Sequence, residues 1–191
     1  MAYAFNGCGA TEITGIDQFN TSSCRDMSYM FASSAVKNLD LKSFNTASVV
    51  TMESMFQSAK VQSVDLSGFT AEKVKSLKNM FSKADSLATI DLSSFTALST
   101  RSSESIALEG TFQFTAKGKI QEINLGSGFV SLYGSNQQTT FLTSSTSYKG
   151  HFDLKCTRVF AQELIAACTA ARNNNPLKLI NAGQMVLKNL D

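Results

Sequence analysis

The sequence predicts an α/β fold built as a solenoid of stacked repeats, and three observations carry that expectation. Landmark residues return after 25 positions: Phe31, Phe56 and Phe81; Leu41 and Leu66; Phe44 and Phe69; Val49 and Val74. Within each repeat, apolar and polar residues alternate (Leu39-Asp40-Leu41, Val64-Asp65-Leu66), the period of a short half-buried strand. Beyond the phenylalanine, apolar residues fall at spacings of three, three and one (Val49, Met52, Met55, Phe56), one side of a helical turn or two. A single unit of this kind cannot bury its apolar side, so copies must stack and share a core.

The chain in order gives about seven short parallel strands, short helices on the opposite side and a longer C-terminal helix. Tyr3-Ala4-Phe5 matches Tyr29-Met30-Phe31, so the pattern is running from residue 3. Ala10, Ile13 and Ile16 supply a shifted first strand. Ser23-Cys24-Arg25-Asp26 resembles a capping box opening a helix with Cys24, Met27 and Met30. Strands follow at Leu39, Val64 and Ile90, the last after one added residue. The L-x-x-L-x-L core with this period is the signature of a leucine-rich repeat.

From Phe95 the period loosens. Residues 98–106 hold an insertion, 115–119 add further residues before the Ile123 strand, and Tyr133 to Tyr148 reads as an irregular loop. Phe152-Asp153-Leu154 makes the sixth strand. Thr157 to Arg172 reads as one longer helix stopped by Asn173-Asn174-Asn175-Pro176, and Leu177-Lys178-Leu179 makes a seventh strand. The expected organisation is one domain over residues 1–191, with regular repeats at 3–95, irregular repeats at 96–154 and a C-terminal capping region at 155–191.

Composition sets further bounds. With 43% hydrophobic and 17% charged residues in 191, the chain can bury a sizeable core. A net charge of +2, scattered and without an aromatic-laced basic stripe, argues against nucleic acid. No run of 18 apolar residues suggests membrane insertion, and the first residues lack the basic flank and apolar stretch of a signal peptide. Four cysteines do not form a disulfide framework. Cys8 and Cys24 fill the slots of Ser34 and Val49 as small buried residues, and Cys156 and Cys168 stand too far apart along the expected helix to bridge.

Candidate binding residues fall into two groups. The column Asp40, Asp65, Asp91, Asn124 and Asp153 lies between inward apolar positions and should face outward from the strands. It reads either as a solvated feature of the repeat or as a strip for a cation or polar ligand. The second group is Arg101, Lys117, Lys119, Tyr133 and Tyr148 in the inserted segments, since insertions in solenoids gather on the binding side. No catalytic residue, metal site or cofactor is expected. His151 is the only histidine and has no patterned Ser or Cys partner, and Gly126-Ser127-Gly128 is too short for a phosphate loop.

The motif Phe-Asn-Thr-x-x-Val-x-x-Met-x-x-Met-Phe, best seen at Phe44 to Phe56, resembles the BspA-like leucine-rich repeats, also found as the mycoplasma lipoprotein-type repeat. Phe19 to Phe31 and Phe69 to Phe81 share it, and the strand aspartate matches at Asp40, Asp65 and Asp91. The match is specific over residues 3–95, weaker to 154 and absent beyond. The resemblance implies a non-enzymatic module displayed on a cell surface, extracellular, serving adhesion or host contact with a protein or glycan ligand. The alternative is a structural subunit docking onto neighbours in a larger assembly. The first repeat, with no capping segment before Ile13 and Ile16, is the expected place for an end-to-end partner.

Overall fold

A computed structural model describes residues 1–96, 106–115, 117–129, 142–144, 152–158, 160–162 and 185–189. Three short strands follow the Leu-Asp alternation: β1 (Asn38–Asp40), β2 (Ser63–Asp65) and β3 (Thr89–Asp91). Then come β4 (Phe112–Phe114), β5 (Glu122–Asn124), β6 (Leu142–Ser144), β7 (Phe152–Cys156) and β8 (Met185–Asn189). All pairing among the described residues is parallel. β1 ladders with β2, β4 with β6, and a four-stranded sheet runs β3-β5-β7-β8.

The short helices expected after each phenylalanine are replaced by chains of turns. Within Met27–Ser34, the N–H groups of Met30, Ala32 and Ser34 donate three residues back, to Met27, Tyr29 and Phe31. The intervening N–H groups of Tyr29, Phe31 and Ser33 donate outward to the carbonyls of Glu53, Met55 and Gln57, at 2.8–2.9 Å. The pattern repeats: Ser54, Phe56 and Ser58 donate to Lys78, Met80 and Ser82, and Asn79, Phe81 and Lys83 donate to Glu109, Thr111 and Gln113. Tyr3, Phe5 and Gly7 do the same toward Ser28, Met30 and Ala32.

An α-helix would direct its N–H groups, beyond the first turn, to carbonyls of its own segment. Here a left-handed residue every fourth position stops helix propagation: Tyr29 and Ser33, Ser54 and Ser58, Asn79 and Lys83, with φ of 55–57°. Each costs about 1–2 kcal/mol for a residue bearing a Cβ. The inter-unit hydrogen bonds and the packing beneath them offset that cost.

Two columns of aromatic rings run through the core. Phe5, Phe31, Phe56, Phe81 and Phe112 stack with centroids 5.3–5.7 Å apart and planes within 10°. Phe44, Phe69 and Phe95 form a second column at 6.3 Å spacing. Met27, Met30, Met52, Met55 and Met80 are fully buried between the columns and the turns. Buried Thr21 and Thr46 clip successive units, each hydroxyl donating to the carbonyl of a later residue (Asn45, Thr70) and accepting that residue's N–H.

Other expectations are corrected. Ala10 to Ile16 is not a strand; it bends into a 3-10 turn at Ile16–Gln18, entered through Gly15 at φ 73°. No capping box forms at Ser23, whose segment is a turn. Cys8 and Cys24 are half-buried, whereas Val49 and Val74 in the slot of Cys24 are fully buried. Cys156 ends β7 and is not helical.

Asp153 leaves the aspartate column. It pairs with Glu122, and Lys155 pairs with Asn124. A slip of two residues keeps every side chain on its own side of the strand, so alternation alone cannot exclude it. On its side away from β5, β7 pairs with Met185–Asn189. The expected strand at Leu177–Leu179, all but Ile106 of the insertion at 98–106, the Tyr133–Tyr148 loop except Leu142–Ser144 (β6), His151 and Cys168 lie outside the described residues. Of the expected Thr157–Arg172 helix, Arg158 and 160–162 are helical, with the Thr157 hydroxyl accepting the Phe160 N–H as a cap.

Two outcomes test this packing. Phe56→Ala removes one ring from a continuous column and is expected to cost about 3–5 kcal/mol in denaturant unfolding. Ser58 is exposed and left-handed. Ser58→Gly is therefore expected to raise stability by about 0.5 kcal/mol, and Ser58→Val to lower it by about 1 kcal/mol or more.

Candidate functional site

The outward side of the strands is built from the residues that alternate with the core. Asn38, Asp40, Ser63, Asp65, Thr89 and Asp91 are exposed, while Leu39, Leu41, Leu66, Ile90 and Leu92 behind them are buried. Register sets Asp40 opposite Asp65 and Asp91 opposite Asn124. Four of the five expected column members therefore occupy equivalent places, and Asp153 does not.

The aspartates have a structural task. In each case Oδ1 accepts the backbone N–H two residues on: Lys42 to Asp40 at 3.2 Å, Ser67 to Asp65 at 2.9 Å and Ser93 to Asp91 at 2.8 Å. Asn124 closes the same turn with the Gly126 N–H at 3.0 Å. A short side chain with an acceptor oxygen is what such a turn needs, which explains Asp or Asn at the position. Behind Asp65, the Gly68 backbone passes so close to the Lys42 carbonyl that a Cβ would collide with it.

Electrostatics follow from these bonds. Lys42 donates to Asp40 through its ammonium (2.8 Å) and its N–H, holding the Asp40 carboxyl below the usual range and raising Lys42 in turn. The Ser67 hydroxyl and N–H lower Asp65 in the same way, against a small opposing effect of burial. Further along, Lys155 pairs with Glu122 at 2.8 Å across β7 and β5. These exposed pairs contribute little to stability.

A groove opens between β2 and β3. No ladder joins these two strands, although both are flanked by partners on their other sides. The unit leading to Ile90 carries one residue more than its predecessor. The groove holds about 410 Å³ and is lined by Val64, Asp65, Leu66, Ser67, Asp91, Ser93 and Ser94. The Ser94 hydroxyl spans it to the Leu66 carbonyl at 3.1 Å. Val64 is only partly buried, unlike Leu39, Ile90 and Ile123 at the same position. Asp65 and Asp91 belong to the column expected to bind a cation or polar ligand; the opening between their strands was not expected, and its one sign in the sequence is the added residue before Leu87.

Of the second candidate group, Lys117 and Lys119 are exposed in the turn entering β5. That turn is tied to Asp85, whose carboxylate accepts both the Thr115 N–H (3.0 Å) and the Thr115 hydroxyl, and whose carbonyl accepts the Lys119 N–H at 3.0 Å. Arg101, Tyr133 and Tyr148 lie outside the described residues. Among the described residues, no three His, Cys, Asp or Glu side chains converge as metal ligands. No helix there is long and apolar enough to cross a membrane.

Short parallel strands, a repeating backbone linkage and a row of polar groups define a repeat protein. The chain belongs to the family described as Mycoplasma protein of unknown function, DUF285, whose model matches residues 1–119. No curated protein and no solved structure matches the chain.

The turn role of the aspartates makes a specific prediction. Asp65→Asn keeps the acceptor oxygen and is expected to leave stability nearly unchanged, whereas Asp65→Ala should lower it by about 0.5 kcal/mol, small because the bond is exposed. Both Asp40 and Asp65 are depressed relative to the unfolded value of about 3.9. Their contribution is therefore present above that value and lost as pH falls through the lower folded midpoints. Carboxyl midpoints followed by NMR are expected below about 3.9 for both residues.

Proposed function

We propose that the chain is a leucine-rich-repeat solenoid of the BspA-like kind, acting as a non-enzymatic recognition module at a cell surface and holding a protein or glycan ligand. The observation that carries this reading is the exposed row Asn38, Asp40, Ser63, Asp65, Thr89 and Asp91, set on strands whose inner sides are locked into the core. Side chains held in register on a rigid support lose little freedom when a ligand arrives, which favours binding. Lys117 and Lys119 extend the polar surface beside β5.

One observation favours a second reading, a structural subunit stacked end-on in a larger assembly. The exposed large hydrophobic residues among those described are Met1, Tyr3 and Phe19, all on the first unit. Tyr3 stacks on Tyr29 with centroids 4.9 Å apart. Tyr3 is 56% exposed, so an apolar partner could continue the stack.

Binding of labelled chain to cultured host-type cells separates the two. A variant carrying Asn38→Ala, Ser63→Ala, Thr89→Ala, Lys117→Ala and Lys119→Ala is expected to bind more than about tenfold more weakly with its circular dichroism intact. Equal binding by variant and parent would overturn the recognition reading. Association that rises with concentration and is abolished by Tyr3→Ser with Phe19→Ser would favour the second reading instead.

A further inference from the structure

We propose that the groove between β2 and β3 is a binding site for a pyranose sugar, a statement that rests on the recognition reading and names its ligand class. The opening is a local property of one junction. β1 and β2 are laddered, as are β3 and β5, but β2 and β3 are not. The resulting space of about 410 Å³ lies within the size range of small-molecule sites.

Its walls are rich in acceptors. Asp65 accepts the Ser67 N–H and the Ser67 hydroxyl, and Asp91 accepts the Ser93 N–H at Oδ1 and the Asn124 side-chain amide at Oδ2 (3.3 Å). A carboxylate offers about four lone-pair sites, so acceptor capacity remains on both. The hydroxyls of Ser67 and Ser93 add groups that can donate or accept. The floor is apolar: Leu66 is buried, and Val64 turns part of its surface to the groove where its counterparts in other units are covered. A ligand that fits presents several hydroxyl donors around a patch of C–H surface, which is the chemistry of a pyranose ring.

The competitors match the lining less completely. Calcium takes six to eight oxygen ligands, and no third acidic, His or Cys side chain joins Asp65 and Asp91 to hold one. A guanidinium or ammonium from a partner protein would be drawn to the carboxylates but would not use the Val64 surface, which a polyol's C–H groups cover.

The test is a ¹⁵N NMR titration of the full chain with the methyl pyranosides of glucose, galactose, mannose and N-acetylglucosamine, with calcium chloride and N-acetylarginine amide as comparators. Saturable shifts at the Val64, Ser67 and Ser93 amides are expected with at least one sugar and with neither comparator. Asp65→Asn with Asp91→Asn keeps the turn acceptors and should weaken that sugar more than about tenfold. Val64→Phe, which fills the groove from its floor, should abolish the shifts; the dispersion of the spectrum verifies that each variant is folded. Absence of shifts with all four sugars, undiminished binding by both folded variants, or saturation by calcium or the arginine derivative would overturn the assignment. Cell binding without sugar shifts would sink the groove assignment and leave the recognition reading standing. Sugar shifts without cell binding would do the reverse.

Discussion

The structure depends on backbone N–H groups that leave their own unit. At each of four successive junctions, three alternate N–H groups on the turn side donate to carbonyls of the following unit, while the N–H groups between them close local turns. Buried backbone donors must be satisfied, and this arrangement divides them between local and inter-unit partners. It also fixes the register of everything else. Once Phe31 donates to Met55 and Phe56 to Met80, the rings they carry are forced into one column. The strands are only three residues long in this region, too short to set that register themselves.

Part of this was legible in the sequence. The 25-residue spacing of Phe31, Phe56 and Phe81 places them above one another, and the burial of Met52 and Met55 follows from the same spacing. The turns were not legible, because Val49, Met52, Met55 and Phe56 satisfy a helical period equally well. What excludes the helix is a left-handed backbone at Ser54 and Ser58, and serine does not announce that conformation as glycine would. Asp153 was misplaced because alternation reads the same after a slip of two.

The candidate site shows the same division. The outward column was readable at Asp40, Asp65, Asp91 and Asn124, and the structure adds a reason for the residue type: each closes its own turn. A recurrent acidic residue is therefore consistent with a demand of the backbone alone. The groove could not be read, since it arises from which strands fail to pair, a property of several units together. It shows as an unfilled junction beside Val64, a residue whose identity gives no hint of exposure.

The orientation of the inter-unit bonds has a mechanical consequence. They run from one unit to the next between Tyr3 and Gln113, so a pull applied across these units loads the junctions in series. In such an arrangement the chain opens at its weakest link. The junction between the Val64 and Ile90 units keeps its turn-side bonds (Ser54 to Lys78, Phe56 to Met80, Ser58 to Ser82) but has no strand ladder on the other side. Force would hinge it about the turn side, widening the groove before any neighbouring unit parts.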